Sequence, residues 1–272
     1  MKIKEIPVSI FQTLRLLSLS ASRLKSMNKK EVPVIVSLTS IPSRLKIVPI
    51  VIRSILDQTV MPSKIILWLN QDLKNDIPLS LRKLEGDIFE IKFSALNCSH
   101  RKLIHSLALF PEAVIVTCDD DLIYRPTWLS RLYDEHTNMP GCIIANQTRY
   151  ISYDSNGKLL PYKQWVYKED TSFNQNAVLP IGAGGVLYPP DRLYHKTTDV
   201  TLFLDLTPKA DDLWFKAMSF LRGTPSITAK NAPKKPIPIM GSQKQSLKKN
   251  NVDKDKNRTQ WDAVSQYFEI HF

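Results

Sequence analysis

Three consecutive carboxylates, Asp119, Asp120 and Asp121, follow the apolar run Val114-Ile115-Val116-Thr117-Cys118. Adjacent acids repel one another, so a triplet is costly unless a cation accompanies it. Hard divalent cations take oxygen ligands and bridge to phosphates, and ligands of open α/β sheets bind beyond the carboxyl ends of the strands. The triplet therefore reads as a metal–diphosphate site, with an acidic loop or helix start as the plainer alternative. A second acid pair, Asp211-Asp212, opens the apolar stretch Leu213-Trp214-Phe215. Helix capping accounts for one of the two; the other can act as a general base, its pKa raised by burial beside Trp214. Ser99-His100-Arg101-Lys102 stands at a helix start, where backbone N–H groups with Arg101 and Lys102 can take phosphate oxygens; a solvated basic turn is the alternative. Of the eight glycines, Gly182, Gly184 and Gly185 fall within four residues. Glycine admits a close backbone approach or positive φ, and a tight turn explains the cluster equally well. No Gly-Lys-Ser/Thr follows, so it is not a nucleotide P-loop.

Other chemistries find little support. The five histidines show no paired spacing, and only His195 and His271 remain as metal partners. No Gly-x-Ser-x-Gly elbow is present. Cys98, Cys118 and Cys142 form no CxxC pair, so neither a disulfide framework nor a zinc site is indicated, and a reducing, cytoplasmic compartment fits. The first residues lack the pattern of a signal peptide.

These residues must be positioned by a chain of 272 residues with 43% hydrophobic and 23% charged residues, enough for a sizeable core. Apolar runs at 34–38, 64–69, 88–93 and 113–118 alternate with helical periodicity at 45–57, 79–84 and 102–110. That alternation predicts βα units, right-handed crossovers and a mostly parallel sheet covered on both faces. Residues 143–146 suggest one more strand, 190–194 a short helix and 212–221 a longer one. The α/β half spans 32–121 and an irregular half 122–229. The aromatics Tyr150, Tyr153, Tyr162, Trp165 and Tyr167 lie in the irregular half, as sugar-stacking surface or as core. The net charge of +11 is uneven: residues 1–30 carry +6, residues 230–258 carry +7, and the remainder −2. This divides the chain into an amphipathic basic segment (1–31), a domain (32–229) and a basic tail (230–272) expected to be loop-like. A nearly neutral core argues against nucleic acid as a partner. Basic ends suit an anionic membrane surface, or simply solvent. In residues 6–25, Ile10, Leu14, Leu17, Ala21 and Leu24 share one stripe, which predicts a helix resting either on the domain or on a membrane.

The segments Val36–Arg44, Ile55–Thr59 and Ile65–Asn70, with the aspartate triplet, the paired glycines and Asp211-Asp212, resemble in this order the GT-A fold glycosyltransferases, bacterial family-2-like and partly exostosin-like, over residues 33–223. The resemblance implies a Rossmann-like α/β domain that uses Mn2+ or Mg2+. It would move a sugar from a nucleotide-sugar donor to a glycan or lipid-linked acceptor in bacterial surface polysaccharide synthesis, peripherally at the membrane's inner face. It places Thr39 and Arg44 beside the nucleotide, Asn70 near the base, Arg101 and Lys102 on the diphosphate, Asp119 and Asp120 with the donor, and Asp119 and Asp121 on the metal. Gly184 and Gly185 would line the sugar cleft, with Asp212, assisted by Asp211, as general base. Asn70-Gln71-Asp72 departs from the acidic strand end usual in family 2. Two rival functions stand: a sugar-phosphate nucleotidyltransferase, against which the glycine-free loop from Thr39 to Arg44 counts, and a noncatalytic carbohydrate-binding protein on the same fold.

Overall fold

The computed structural model of the chain describes residues 3–26, 29–166, 174–242 and 252–272. Tyr167 and the lysine-rich stretch 243–251 lie outside the described residues. The first half contains helices α1 (Ile6–Ser18) and α2 (Ala21–Ser26), strand β1 (Glu31–Thr39), α3 (Val48–Leu56), β2 (Met61–Asn70), α4 (Leu79–Arg82), β3 (Phe89–Ser94), α5 (Arg101–Leu109) and β4 (Val114–Thr117). The rest contains β5 (Leu122–Ile123), α6 (Trp128–Asn138), β6 (Ile143–Ala145), β7 (Thr148–Tyr150), β8 (Val178–Pro180), β9 (Val186–Tyr188), α7 (Val200–Leu206), α8 (Asp211–Leu221), β10 (Ser226–Thr228), β11 (Ile237–Pro238) and a helix here called α9 (Lys256–Tyr267).

Seven strands form one sheet in the order β10-β6-β9-β4-β1-β2-β3. Every neighbouring pair is parallel except those made by β9, which runs antiparallel between β4 and β6. The fold is thus a Rossmann-like α/β domain. Two short ribbons, β5–β11 and β7–β8, flank the sheet.

The pattern of β1 shows why its residues form a central strand. Val34, Val36 and Leu38 join a core with Val48, Val51, Ile52 and Ile55 of α3 on one face. Ile35 clusters with Ile66 and Trp68 on the other, where α5 covers the sheet. With both faces covered, the strand is apolar nearly throughout rather than alternating. The one polar residue buried inside it, Ser37, meets Ser106 Oγ of α5 at 2.8 Å, and Trp68 Nε1 donates to the same Ser106 oxygen at 3.0 Å. That chain satisfies polar atoms whose desolvation would otherwise be costly.

Several elements depart from the pattern in the sequence. The helix expected over 6–25 breaks at Leu19-Ser20, and its apolar stripe divides: Ile10, Leu14 and Leu17 of α1 are turned outward, where Ser9 and Leu16 are the buried residues, whereas Leu24 of α2 is fully buried in the core with Ala21 packed against it. Helices α6 and α7 arise where no periodicity marked them. Residues 190–194 are not helical; a 3-10 turn, His195–Thr198, follows them. The basic tail contains β11, which pairs with β5, and α9, which packs on α8 and buries Trp261 completely. Tyr150, Tyr162 and Trp165 are buried.

The glycine cluster is a packing device. Gly185 has φ +90°, and a Cβ there would stand 2.4 Å from Trp128 Nε1 of α6. A Cβ on Gly184 would stand 2.8 Å from Gln147 Cβ. The indole N–H of Trp128 donates to Gly184 O at 2.8 Å, which draws α6 against the turn before β9. Gly185→Ala combines a strained φ with a clash against a buried indole, so it should lower stability by roughly 2–4 kcal/mol. The urea midpoint, read by tryptophan fluorescence, measures this.

Candidate functional site

The carboxyl ends of β1 and β4, the start of α5, the Gly182 turn and the start of α8 meet at one edge of the sheet. Lys102 is at the centre of this convergence. Its backbone carbonyl accepts from Ser37 Oγ, which ties the first turn of α5 to β1. Its Nζ lies 3.1 Å from Asp119 Oδ1 and 3.1 Å from Asp211 Oδ2, with the side chain only 6% exposed. Burial opposes the ammonium charge, but Asp211, Asp119 and Asp212 together raise the Lys102 pKa well above its ordinary value.

The two acids of α8 divide their roles. Burial works against ionisation of Asp211, but Lys102 outweighs it and keeps the carboxyl below its usual range. Asp212 receives the Gly182 backbone N–H on both oxygens, at 3.1 and 3.0 Å. Burial, then the charge of Asp211, pushes its carboxyl up to about 8, with Lys102 pulling the other way. Asp212 is therefore biased toward its protonated form, where Asp211 is biased toward its charged one. A Cβ on Gly182 would approach Asp212 Oδ1 to 2.8 Å, so the close approach needs glycine. Behind the site His100 is wholly buried, stacked on Phe203 with centroids 4.3 Å apart. Burial lowers its pKa to about 4, so it is neutral there.

The aspartate triplet splits between two cations. Asp119 faces Lys102. Asp120 Oδ1 lies 2.5 Å from Arg44 Nη1, Asp121 Oδ2 lies 3.0 Å from Arg44 Nη2, and Ser40 Oγ donates to Asp120 Oδ2 at 2.5 Å. Arg101 holds the loop after β1: its Nε donates to Thr39 Oγ1, its Nη2 to Ser40 O at 2.6 Å and its Nη1 to Leu96 O at 2.7 Å. Thr39 Oγ1 in turn donates to Trp68 O at 2.8 Å. Thr39 and Arg101 thus brace the loop that carries Arg44. Asn70 caps a 3-10 turn by accepting the Asp72 N–H at 2.9 Å.

Of the residues singled out in the sequence, the structure brings together Lys102, Asp119, Asp211 and Asp212 as one group and Arg44, Asp120 and Asp121 as an adjoining one. Thr39 and Arg101 link to the second group through Ser40. Asn70 is not part of either, and Gly184 and Gly185 pack against α6. Gly182, Ser40 and the Tyr124 hydroxyl, which accepts the Asp119 N–H at 2.8 Å, complete the site. Gly182, as first of the glycine cluster, and Ser40, within the segment Val36–Arg44, had left a trace in the sequence; Tyr124 had not.

The donor set does not fit the resident Mn2+ or Mg2+ expected on Asp119 and Asp121. Arg44 occupies Asp120 and Asp121, Lys102 occupies Asp119, and among the described residues no group of three His, Cys, Asp or Glu side chains is arranged to hold a metal.

No family model matches the chain, and no curated protein matches it. Solved structures do. A 4-diphosphocytidyl-2C-methyl-D-erythritol synthase from Anaerococcus prevotii DSM 20548 is 12% identical, with 89% of this chain and 97% of that chain covered and a TM-score of 0.42. A CMP:2-keto-3-deoxy-manno-octonic acid synthetase complexed with CTP is 12% identical, with 74% of this chain and 89% of that chain covered and a TM-score of 0.40. Both are named for cytidine nucleotide products. The glycosyltransferase resemblance is corrected accordingly: the structures found are named for cytidine nucleotide synthases, and the triplet that was to grip a donor through a metal is already ion-paired with Arg44 and Lys102.

Asp212 also sets a pH dependence of folding. Its folded pKa lies above the unfolded value, so the folded state holds the extra proton between about 4 and about 8. Stability from this group is complete below about pH 4 and is lost as pH rises through about 8. Asp212→Asn should flatten the fall in urea midpoint between about pH 4 and about pH 8. An unchanged slope in the variant would place the titration elsewhere.

Proposed function

We propose that the chain is a nucleotidyltransferase that moves a nucleoside monophosphate unit from a nucleoside triphosphate onto a sugar phosphate. The observation that carries this reading is the buried, permanently charged Lys102 at the carboxyl edge of the sheet, with Arg44 on the neighbouring loop. Fixed cations in a desolvated site stabilise the charge that develops on a transferring phosphoryl group. An acceptor phosphate oxygen attacks the α-phosphorus, the bond from that phosphorus to the bridging oxygen breaks, and pyrophosphate leaves. Lys102 neutralises the equatorial oxygens, and Arg44 turns from its carboxylates toward the leaving pyrophosphate. The loop from Thr39 to Arg44 has no glycine, so it offers phosphate a guanidinium in place of a row of backbone amides. Asp212, biased toward its protonated form, spares the incoming phosphates one negative charge. Burial of Tyr150, Tyr162 and Trp165 leaves no glycan-stacking surface at those three residues.

The test is thermal shift with each of the four ribonucleoside triphosphates, followed by pyrophosphate release with a panel of sugar phosphates. At least one nucleotide should raise Tm and release pyrophosphate. Lys102→Met should cut kcat/KM by about 10²–10³-fold, and Asp119→Asn, which leaves Lys102 paired with Asp211, by less. Absence of both nucleotide stabilisation and pyrophosphate release across the panel would overturn the proposal. Nucleotide affinity should fall as pH rises through about 8, where Asp212 ionises, and this fall should vanish in Asp212→Asn; titration by fluorescence measures it.

A further inference from the structure

Helix α1 is amphipathic, yet it presents its apolar stripe to solvent. Phe11 is 65% exposed, Leu14 63% and Leu17 51%, with Ile3, Val8 and Ile10 exposed beside them. This orientation is pinned by polar contacts on the opposite side. Ser9 Oγ donates to Pro238 O at 2.8 Å and accepts from Met240 N–H at 3.1 Å. Arg15 Nη2 lies 2.7 Å from Asp57 Oδ2. Arg53 Nη1 donates to the carbonyls of Leu16 at 3.0 Å and Leu19 at 2.5 Å, which closes the C-terminal end of the helix. Rotating the stripe inward would break all of these, so the exposed apolar face is a property of the fold.

The same contacts bring the two basic segments together. Pro238 and Met240, held against Ser9, belong to the second basic segment, where Lys234 and Lys235 are exposed; Lys4, Arg23 and Lys30 are exposed in the first. Residues 238–240 of the second segment thus lie against the helix that carries the apolar ridge, while the chain outside the two segments carries −2.

We propose that this face is a docking surface for an anionic lipid bilayer, with Phe11, Leu14 and Leu17 entering the headgroup region and the flanking lysines and arginines facing lipid phosphates. Apolar insertion beside basic charge is how interfacial helices hold an anionic surface. A second copy of the chain is a poorer occupant, because it would set one basic rim against another. No helix among the described residues is long and apolar enough to cross a membrane, so this attachment is to the surface. It is independent of the chemistry proposed for the site.

The experiment is co-sedimentation of the full chain with phosphatidylcholine vesicles, with or without about one third phosphatidylglycerol, at low and high salt. The protein should sediment with the anionic vesicles only, and about 500 mM NaCl should release most of it by screening. Phe11→Glu combined with Leu14→Glu should weaken partition about ten-fold or more, while Leu109→Glu, at an exposed apolar residue of α5, should leave it unchanged. Equal binding to both vesicle types, no binding to either, or full partition by the folded double variant would overturn the proposal. So would a dimer in light scattering that the double variant converts to monomer, since the face would then belong to a second copy.

Discussion

A single buried ammonium organises this molecule's chemistry. Lys102 is almost fully withdrawn from water, and an isolated charge in such a place is strongly unfavourable. It is tolerated because two elements distant in sequence each deliver a carboxylate to it, Asp119 from the end of β4 and Asp211 from the start of α8. That requirement ties the strand, both helices and the Gly182 turn to one point. Asp212 is then left beside a charged neighbour with its share of the positive charge already taken, which is why it holds its proton while Asp211 does not.

The aspartate triplet shows how a sequence motif changes meaning once its neighbours are placed. Three acids in a row need compensation, and a metal ion is one way to supply it. Here Arg44 is carried in by a loop that Arg101 and Ser40 hold in place, and it spans two of the three carboxylates. Lys102 takes the third. The compensation comes from side chains more than 15 residues away in sequence, and no local pattern announces it.

Much of the first half was readable because its signals are local. The strands β1 to β4 and helices α3 and α5 follow from apolar period and length, and the mostly parallel sheet follows from their alternation. The second half hid its elements for physical reasons. Helix α6 carries charged residues over much of its surface around Trp128, Leu129 and Leu132. Helix α9 is polar apart from Trp261, Ala263, Val264 and the exposed Tyr267, so its burial is decided by α8 rather than by its own composition. Helix α1 misled in the opposite sense, since Ser9 and two arginine contacts outweigh the stripe that would ordinarily face a core. At the site, the residue types at 102, 119, 211 and 212 were visible, but the division of labour between Asp211 and Asp212 depends on which one Lys102 reaches.

The Ser9 bridge to Pro238 and Met240 joins positions 229 and 231 residues apart. Closing so long a loop yields few contacts until the sheet between its ends already exists. That bridge therefore belongs to a late stage of folding, after the nearer contacts of α1 with Arg53 and Asp57 can already form. Until it closes, the greasy side of α1 is held from one end only, and because that side stays outward in the finished fold it offers aggregation partners a foothold that folding does not remove.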